Sequence, residues 1–170
     1  MLFRSINHLY IARLAKEGNF PLIVTSSFDR FLEKAFSYAQ IEYETCIAQE
    51  DFRRFEVPEP TPRWRLSKKG SCVHLLKIHG SVEFPETIYS VVDGSGKRAL
   101  GTPKKEVLSR LLTRYPFVFL GYSGREMRND PDYLGMLGAR EQAKGFVWVI
   151  PPESKNEVAQ GFQKIGRAHV

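Results

Sequence analysis

The chain has 170 residues, of which 42% are hydrophobic and 26% are charged, a balance typical of globular proteins. Its net charge of +6 favours anionic partners but does not bear on the fold. The sequence has no apolar run long enough for a membrane span and no signal-peptide block in residues 1–20, so we expect neither a membrane protein nor a secreted one. Cys46 and Cys72 are too few for a disulfide framework or a structural zinc site, which favours a cytoplasmic protein.

Hydrophobic periodicity predicts helices and strands that alternate along the chain. In order, they are a helix over 6–16, a strand over 22–24, a helix from 28 to 36, a strand over 73–78, a short strand over 87–92, a helix over 102–114, a strand over 117–120, a helix over 131–143 and a strand over 146–150. Short apolar strands alternating with amphipathic helices predict an α/β, Rossmann-like fold, a mostly parallel sheet with helices on both faces.

Residues 52–70 form a distinct segment with three prolines at alternate positions and six basic residues against two acidic ones. This composition predicts a loop or insertion. Its arginines are interleaved with Phe52, Phe55 and Trp64, a pattern that can also bind nucleic acid by charge and stacking. A solvated surface loop is the simpler interpretation.

Polar residues follow three of the predicted strands. Because ligands of parallel sheets bind beyond the carboxyl ends of the strands, we expect these residues to converge on one crevice. They are Thr25, Ser26, Ser27 and Asp29 after the first strand, His79 and Gly80 after the second, and Gly121, Tyr122 and Ser123 after the fourth.

Each of these three turns has a structural and a functional interpretation. Ser26 or Ser27 is expected to cap the following helix with Asp29 in its first turn, although the same groups can hold a polar ligand. His79 is suited to act as a general base near neutral pH, or it is a hydrogen-bonded turn residue. The third turn resembles a hydrolase nucleophile elbow but has Arg125 where the last glycine belongs, so it better suits a close approach to phosphate or ribose.

The two ends of the chain look foreign to the rest. Leu2–Ser5 can be encoded by an oligonucleotide whose reverse complement, read one frame over, encodes Lys164–Ala168. The repeat also resembles a sequencing adapter that continues into His169 and Val170. We therefore predict that residues 1–5 and 165–170 are adapter-derived and that 6–164 is a native domain cut at both sides, with further domains or subunits in the full-length protein.

Taken in order, the three turns resemble those of the sirtuin-like NAD-binding domains of prokaryotes. The matching stretches begin at Ile23-Val24-Thr25, at Leu76-Lys77-Ile78 and at Phe119-Leu120-Gly121. They resemble the family's T-x-N-x-D, K-[LI]-H-G and G-x-S patterns, with Ser27 in place of the asparagine of the first. The resemblance covers about residues 20–150. The glycine-rich phosphate loop and first strand of the family have no counterpart here, so we expect a partial domain.

The resemblance implies chemistry on NAD as the substrate. It implies that His79 is the base acting at the nicotinamide ribose and that Asp29 contacts the nicotinamide amide. Ser27 stands at the catalytic position that the family fills with asparagine, and its single hydroxyl cannot make both amide contacts. The resemblance assigns NAD binding to Thr25, Ser26, Asp29, Gly121, Tyr122 and Ser123.

The absence of the zinc ribbon of protein-deacetylating sirtuins favours, among the activities of the family, hydrolysis of NAD to nicotinamide and ADP-ribose, as in zinc-less members associated with phage defence. The change to Ser27 favours instead a module that senses NAD or ADP-ribose without turnover. An NAD-dependent protein deacylase is a further alternative.

Overall fold

The computed structural model describes residues 6–60, 72–88, 91–92, 98–122, 142–149 and 168–169. The chain divides into two compact units, with the boundary in sequence near Lys104. The first unit comprises Met1–Glu56 and Thr61–Lys104, and the second comprises Val57–Pro60 and Lys105–Val170.

The first unit is built around a three-stranded parallel sheet. The sheet has the order β1-β3-β2, so β3 is the central strand although it follows both neighbours in the chain. Its elements are α1 (Ile6–Lys16), β1 (Leu22–Thr25), α2 (Phe31–Ala39), β2 (Tyr43–Cys46), α3 (Gln49–Arg54), β3 (Val73–Lys77), a 3₁₀ turn (Pro85–Thr87) and an antiparallel pair, β4 (Val91–Val92) with β5 (Arg98–Ala99).

The core of the first unit lies between its two longest helices and the sheet. Small residues, Ala12 and Ala15 on α1 and Ala35 on α2, let the two helices approach closely while Phe36 fills the space between helix and sheet. Val73 and Leu75 supply the facing side of the central strand. Apolar residues at helical spacing on α1 and α2 therefore meet the alternate residues of β3, as the sequence pattern requires.

The second unit contains a separate sheet of three parallel strands. In the order β6-β7-β8 these are β6 (Phe117–Leu120), β7 (Phe146–Val149) and β8 (Ala168–His169), preceded by α4 (Thr102–Arg114). Trp148 is buried and stacks on Phe119 with ring centroids 4.3 Å apart, and its indole N–H donates to the carbonyl of Tyr122 at 3.0 Å. This aromatic cluster ties the end of β6 to β7.

The predicted fold class, a mostly parallel α/β arrangement of Rossmann-like type, is confirmed. The predicted helices over 6–16 and 102–114 and the strands from 22, 73, 117 and 146 are found within one or two residues. The short strand predicted over 87–92 is reduced to β4, preceded by the 3₁₀ turn. The helix predicted over 131–143 lies mostly outside the described residues.

The prediction that residues 52–70 form a loop is wrong for its first residues. Phe52 lies in α3 and is 1% exposed, because its ring fills the space beneath Lys104. Farther along, the last residue of α4 and the residue after it hold the segment. Arg114 donates to the carbonyl of Val57 at 2.6 Å, and the Tyr115 hydroxyl donates to that of Pro58 at 2.8 Å. Residues 61–70 lie outside the described part of the chain.

Candidate functional site

The turn after β1 is organised by the carboxylate of Asp29. Its Oδ1 accepts the N–H of Phe31 at 2.8 Å and its Oδ2 accepts the hydroxyl of Ser27 at 2.5 Å. Thr25 Oγ1 in turn accepts the N–H of Ser27 at 3.1 Å. The predicted serine cap is therefore wrong: α2 begins at Phe31, and Asp29 supplies the side-chain oxygen to its first N–H because it lies two residues before it.

The environment of Asp29 favours its charged form. Partial burial alone would raise its pKa, but the hydrogen bonds from the Ser27 hydroxyl and the Phe31 N–H, with the charges of His8 and Lys77, lower the pKa below its usual value. Asp29 is therefore a fixed carboxylate at neutral pH, with lone pairs left to accept a further hydrogen bond.

The turn after β3 places His79 at the carboxyl edge of the sheet and is closed by glycine. Gly80 has φ +92°, and a Cβ at this position would lie 2.5 Å from the carbonyl oxygen of Thr87. The Thr87 hydroxyl accepts the N–H of Ser81 at 3.2 Å and donates to the carbonyl of Phe84 at 2.6 Å. These bonds fold residues 79–87 into a compact, rigid turn in which His79 is 7% exposed.

The structure brings the first and second turns together. Thr25 and Lys77 are register partners at the ends of β1 and β3, and the N–H of Ile78 donates to the carbonyl of Thr25 at 3.1 Å. Farther out, the N–H of Val82 donates to the carbonyl of Phe28 at 3.0 Å.

Side chains of the two turns also meet. The rings of Phe28 and His79 have centroids 6.0 Å apart. At the rim, Arg30 forms an ion pair with Glu83. His79 thus shares one edge of the sheet with the residues predicted to lie near it, namely Thr25, Ser26, Ser27 and Asp29.

Two buried lysines support these turns, and the sequence analysis assigned neither a role. Lys77 is fully buried, and its Nζ donates to the carbonyl of Asp29 at 2.5 Å and to Glu33 Oε1 at 2.7 Å. Lys104 is 2% exposed, and its Nζ donates to the carbonyl of Ile78 at 2.9 Å. The sequence signal for Lys77 is its position at the end of an apolar strand. A lysine at such a buried position requires a partner, because unpaired lysines are rarely buried.

Burial also changes the chemistry of Lys104. The loss of solvation lowers its pKa to about 8, although the charge of Asp51 opposes the shift. Its Nζ lies 5.3 Å from the centre of the Phe52 ring, a cation–π arrangement. The residue before His79 is therefore held by a lysine that titrates close to physiological pH.

The third predicted turn follows β6, in the second unit. Gly121 has φ +62° and Tyr122 is half-buried, with its ring 5.7 Å from that of Phe119. Ser123 lies outside the described residues. The expectation that this turn joins the other two in one crevice stays a prediction.

The described residues show no grouping of three His, Cys, Asp or Glu side chains that could hold a metal ion. Both cysteines are free, and burial raises the pKa of Cys46 to about 11. Every helix in the described ranges is too short or too polar to cross a membrane.

Comparison with known proteins gives one decisive finding. A family model of the SIR2-like domain matches residues 21–165, most of the chain. The chain belongs to the SIR2-like domain family. No curated protein matches it.

Membership of this family confirms the resemblance seen in the three turns. SIR2-like domains use NAD, so the function of this SIR2-like domain is NAD-related and of sirtuin type. The matched residues include both turns of the candidate site and the two buried lysines. The individual roles of His79, Ser27 and Asp29 stay predictions.

Proposed function

We propose that this SIR2-like domain hydrolyses NAD to nicotinamide and ADP-ribose. The observation that carries the proposal is the junction of the two turns, where Thr25 and Lys77 are register partners and Val82 donates to Phe28. This junction puts a histidine and a fixed carboxylate, His79 and Asp29, at the edge of a parallel sheet where ligands bind.

In the proposed reaction, water attacks C1′ of the nicotinamide ribose and the C1′–N bond breaks. The bonding electron pair leaves with the ring, so the pyridinium of NAD departs as neutral nicotinamide. His79 accepts the proton that the attacking water loses and passes it to solvent. Asp29 accepts hydrogen bonds from the nicotinamide amide. Thr25 and Ser26, in the same turn as Asp29, contact the ribose.

The test is NAD turnover by the full-length protein beside its His79→Ala variant and a His74→Ala control. His74 lies on β3, the strand that precedes His79, but packs against Phe55, with ring centroids 5.4 Å apart. We expect nicotinamide release by the wild type and the control and a loss of at least about 100-fold in His79→Ala, the usual contribution of a general base. Equal activity in the two histidine variants would refute the role of His79, and absence of turnover in the wild type would refute hydrolysis.

A second candidate function is sensing of NAD or ADP-ribose without turnover. It is favoured by Ser27, whose hydroxyl already donates to Asp29 at 2.5 Å and so is engaged within the chain. Calorimetric titration with NAD and ADP-ribose distinguishes this function, because a sensor binds without releasing nicotinamide. A large gain of turnover in Ser27→Asn would identify an enzyme with a weakened site, whereas unchanged binding without turnover would support the sensor.

An acyl-lysine acceptor in place of water would give protein deacylation instead. Release of O-acyl-ADP-ribose from an acetylated peptide would favour that reaction over hydrolysis.

For the biological setting we propose anti-phage defence through loss of NAD from the infected cell. NAD loss on infection of cells that express the wild type, and its absence with His79→Ala, would support that setting.

A further inference from the structure

Lys77 and Glu33 form an ion pair inside the first unit. Lys77 is 0% exposed and Glu33 is 5% exposed, and Nζ lies 2.7 Å from Oε1. The same Nζ donates to the backbone carbonyl of Asp29 at 2.5 Å. One ammonium group therefore joins three elements, namely the central strand, the helix α2 and the turn between β1 and α2.

A buried ion pair of this kind contributes little net stability to a fold. Removing two charges from water is expensive, and an apolar pair of similar volume often stabilises a protein equally well or better. An ammonium group, however, fixes the position of the groups that it bonds, which an apolar side chain does not. The three-way contact therefore points to geometry as the property that the pair provides.

The position of Lys77 shows which geometry this is. The residue ends β3 two positions before His79, and it is the register partner of Thr25. Its bond to the Asp29 carbonyl sets the distance between the end of β3, which His79 follows, and the turn that carries Asp29. Because Lys77 has no exposed surface, it does not touch substrate.

We propose that Lys77 and Glu33 are positioning residues that hold the turn bearing Ser27 and Asp29 in register with His79. The proposal rests on the proposed function insofar as the site acts on NAD. Glu33 holds the ammonium group from α2, and Lys77 holds the backbone of the turn. The charge of Lys77 also lowers the pKa of Asp29, as a minor contribution beside the hydrogen bond from Ser27.

The central experiment compares the wild type with the double variant Lys77→Met/Glu33→Met, which removes the pair without leaving a buried charge. Lys34→Met is the matched control, because Lys34 is an exposed lysine adjacent to Glu33 on α2. We expect the double variant to melt near the wild-type temperature. We also expect its kcat/KM for NAD to fall about tenfold to 100-fold, the usual effect of a misplaced site. The control should leave both quantities unchanged.

A second measurement reports on geometry without NAD. The carboxyl ¹³C shift of Asp29, followed by NMR as a function of pH, should show a higher pKa in the double variant. Exchange of the Val82 N–H, which bonds Phe28, should accelerate at least tenfold. If the wild type proves inactive on NAD, these two readouts still decide the positioning role, so failure of the proposed function and failure of this inference are distinguishable.

The conservative variant Lys77→Arg keeps the charge and covers the case in which the double variant does not fold. It should recover part of the kcat/KM and keep the Asp29 pKa low, since a guanidinium can reach the same acceptors from a longer side chain. Wild-type Asp29 titration and Val82 exchange in a folded double variant would overturn the proposal. So would a folded Lys77→Arg variant that recovers no kcat/KM and whose Asp29 pKa is raised.

Discussion

Replacing Gly80 with alanine tests the turn that carries His79. Gly80 has φ +92°, and its added Cβ would lie 2.5 Å from the Thr87 carbonyl oxygen and 2.6 Å from the Thr87 carbonyl carbon. Both atoms belong to the backbone, so no change of side-chain rotamer relieves the contact. The 3₁₀ turn at residues 85–87 must therefore move away, or the turn at Gly80 must open.

The magnitude follows from two contributions. A left-handed backbone costs a non-glycine residue about 1–2 kcal/mol. The displacement of packed backbone adds about 1–3 kcal/mol, as overpacking does elsewhere. Gly121 separates the two contributions, because it has φ +62° but no atom of the described residues lies within 4 Å of its added Cβ. We expect Gly80→Ala to lower the free energy of unfolding by about 2–5 kcal/mol and Gly121→Ala by about 1–2 kcal/mol.

The assay is equilibrium denaturation in urea, with tryptophan fluorescence and far-ultraviolet circular dichroism recorded on the same samples. Transitions that coincide for the two probes permit a single free energy of unfolding. A Gly80→Ala variant that is no less stable than Gly121→Ala would show that Thr87 does not confine the turn. The close packing that we assign to the His79 segment would then be wrong.

Two further predictions concern side chains near the same edge of the sheet. Ser27→Ala removes the hydroxyl bonded to Asp29, so the Asp29 pKa should rise and stability at pH 7 should fall by about 1 kcal/mol. Because the lowered pKa of Asp29 stabilises the fold only above its folded-state pKa, the deficit should vanish in acid, and a pH-independent deficit in urea denaturation would contradict this. Lys104 has its pKa lowered to about 8 by burial, so between about pH 8 and 10.5 the unfolded state binds more protons. The wild type should therefore gain stability relative to Lys104→Met across that window in thermal melts, and a constant difference would refute the shift.

The parallel sheet and its longest helices are predictable because their apolar residues recur with the correct period. The strand β2 is not, because Tyr43–Cys46 has two exposed positions between a half-buried and a buried one. An edge strand of this kind has no apolar run for periodicity to detect. The helix α3 escapes detection for a related reason, since its six residues bury only Phe52.

The candidate site likewise has a part that the sequence predicts and a part that it does not. Its first two turns are predictable because each polar segment directly follows an apolar strand and parallel strands end at a common edge. The start of α2 is not predictable because serine and aspartate are both good caps, and the choice depends on the bond from the Phe31 N–H to Asp29. The buried lysines were missed because sequence rules place lysine at the surface, whereas Lys77 and Lys104 find acceptors that lie far away in the chain.

The position of β3 between two earlier strands has a consequence for the growing polypeptide. β1 and β2 both pair with β3 and not with each other. On the ribosome, neither strand meets its hydrogen-bonding partner until Lys77 has been synthesised and released from the exit tunnel. A nascent chain stalled before Val73 exposes two unpaired strands that can associate with other chains. Because β3 pairs with both earlier strands and also carries Lys77, which lies two residues before His79, the sheet and the site edge are assembled in the same step.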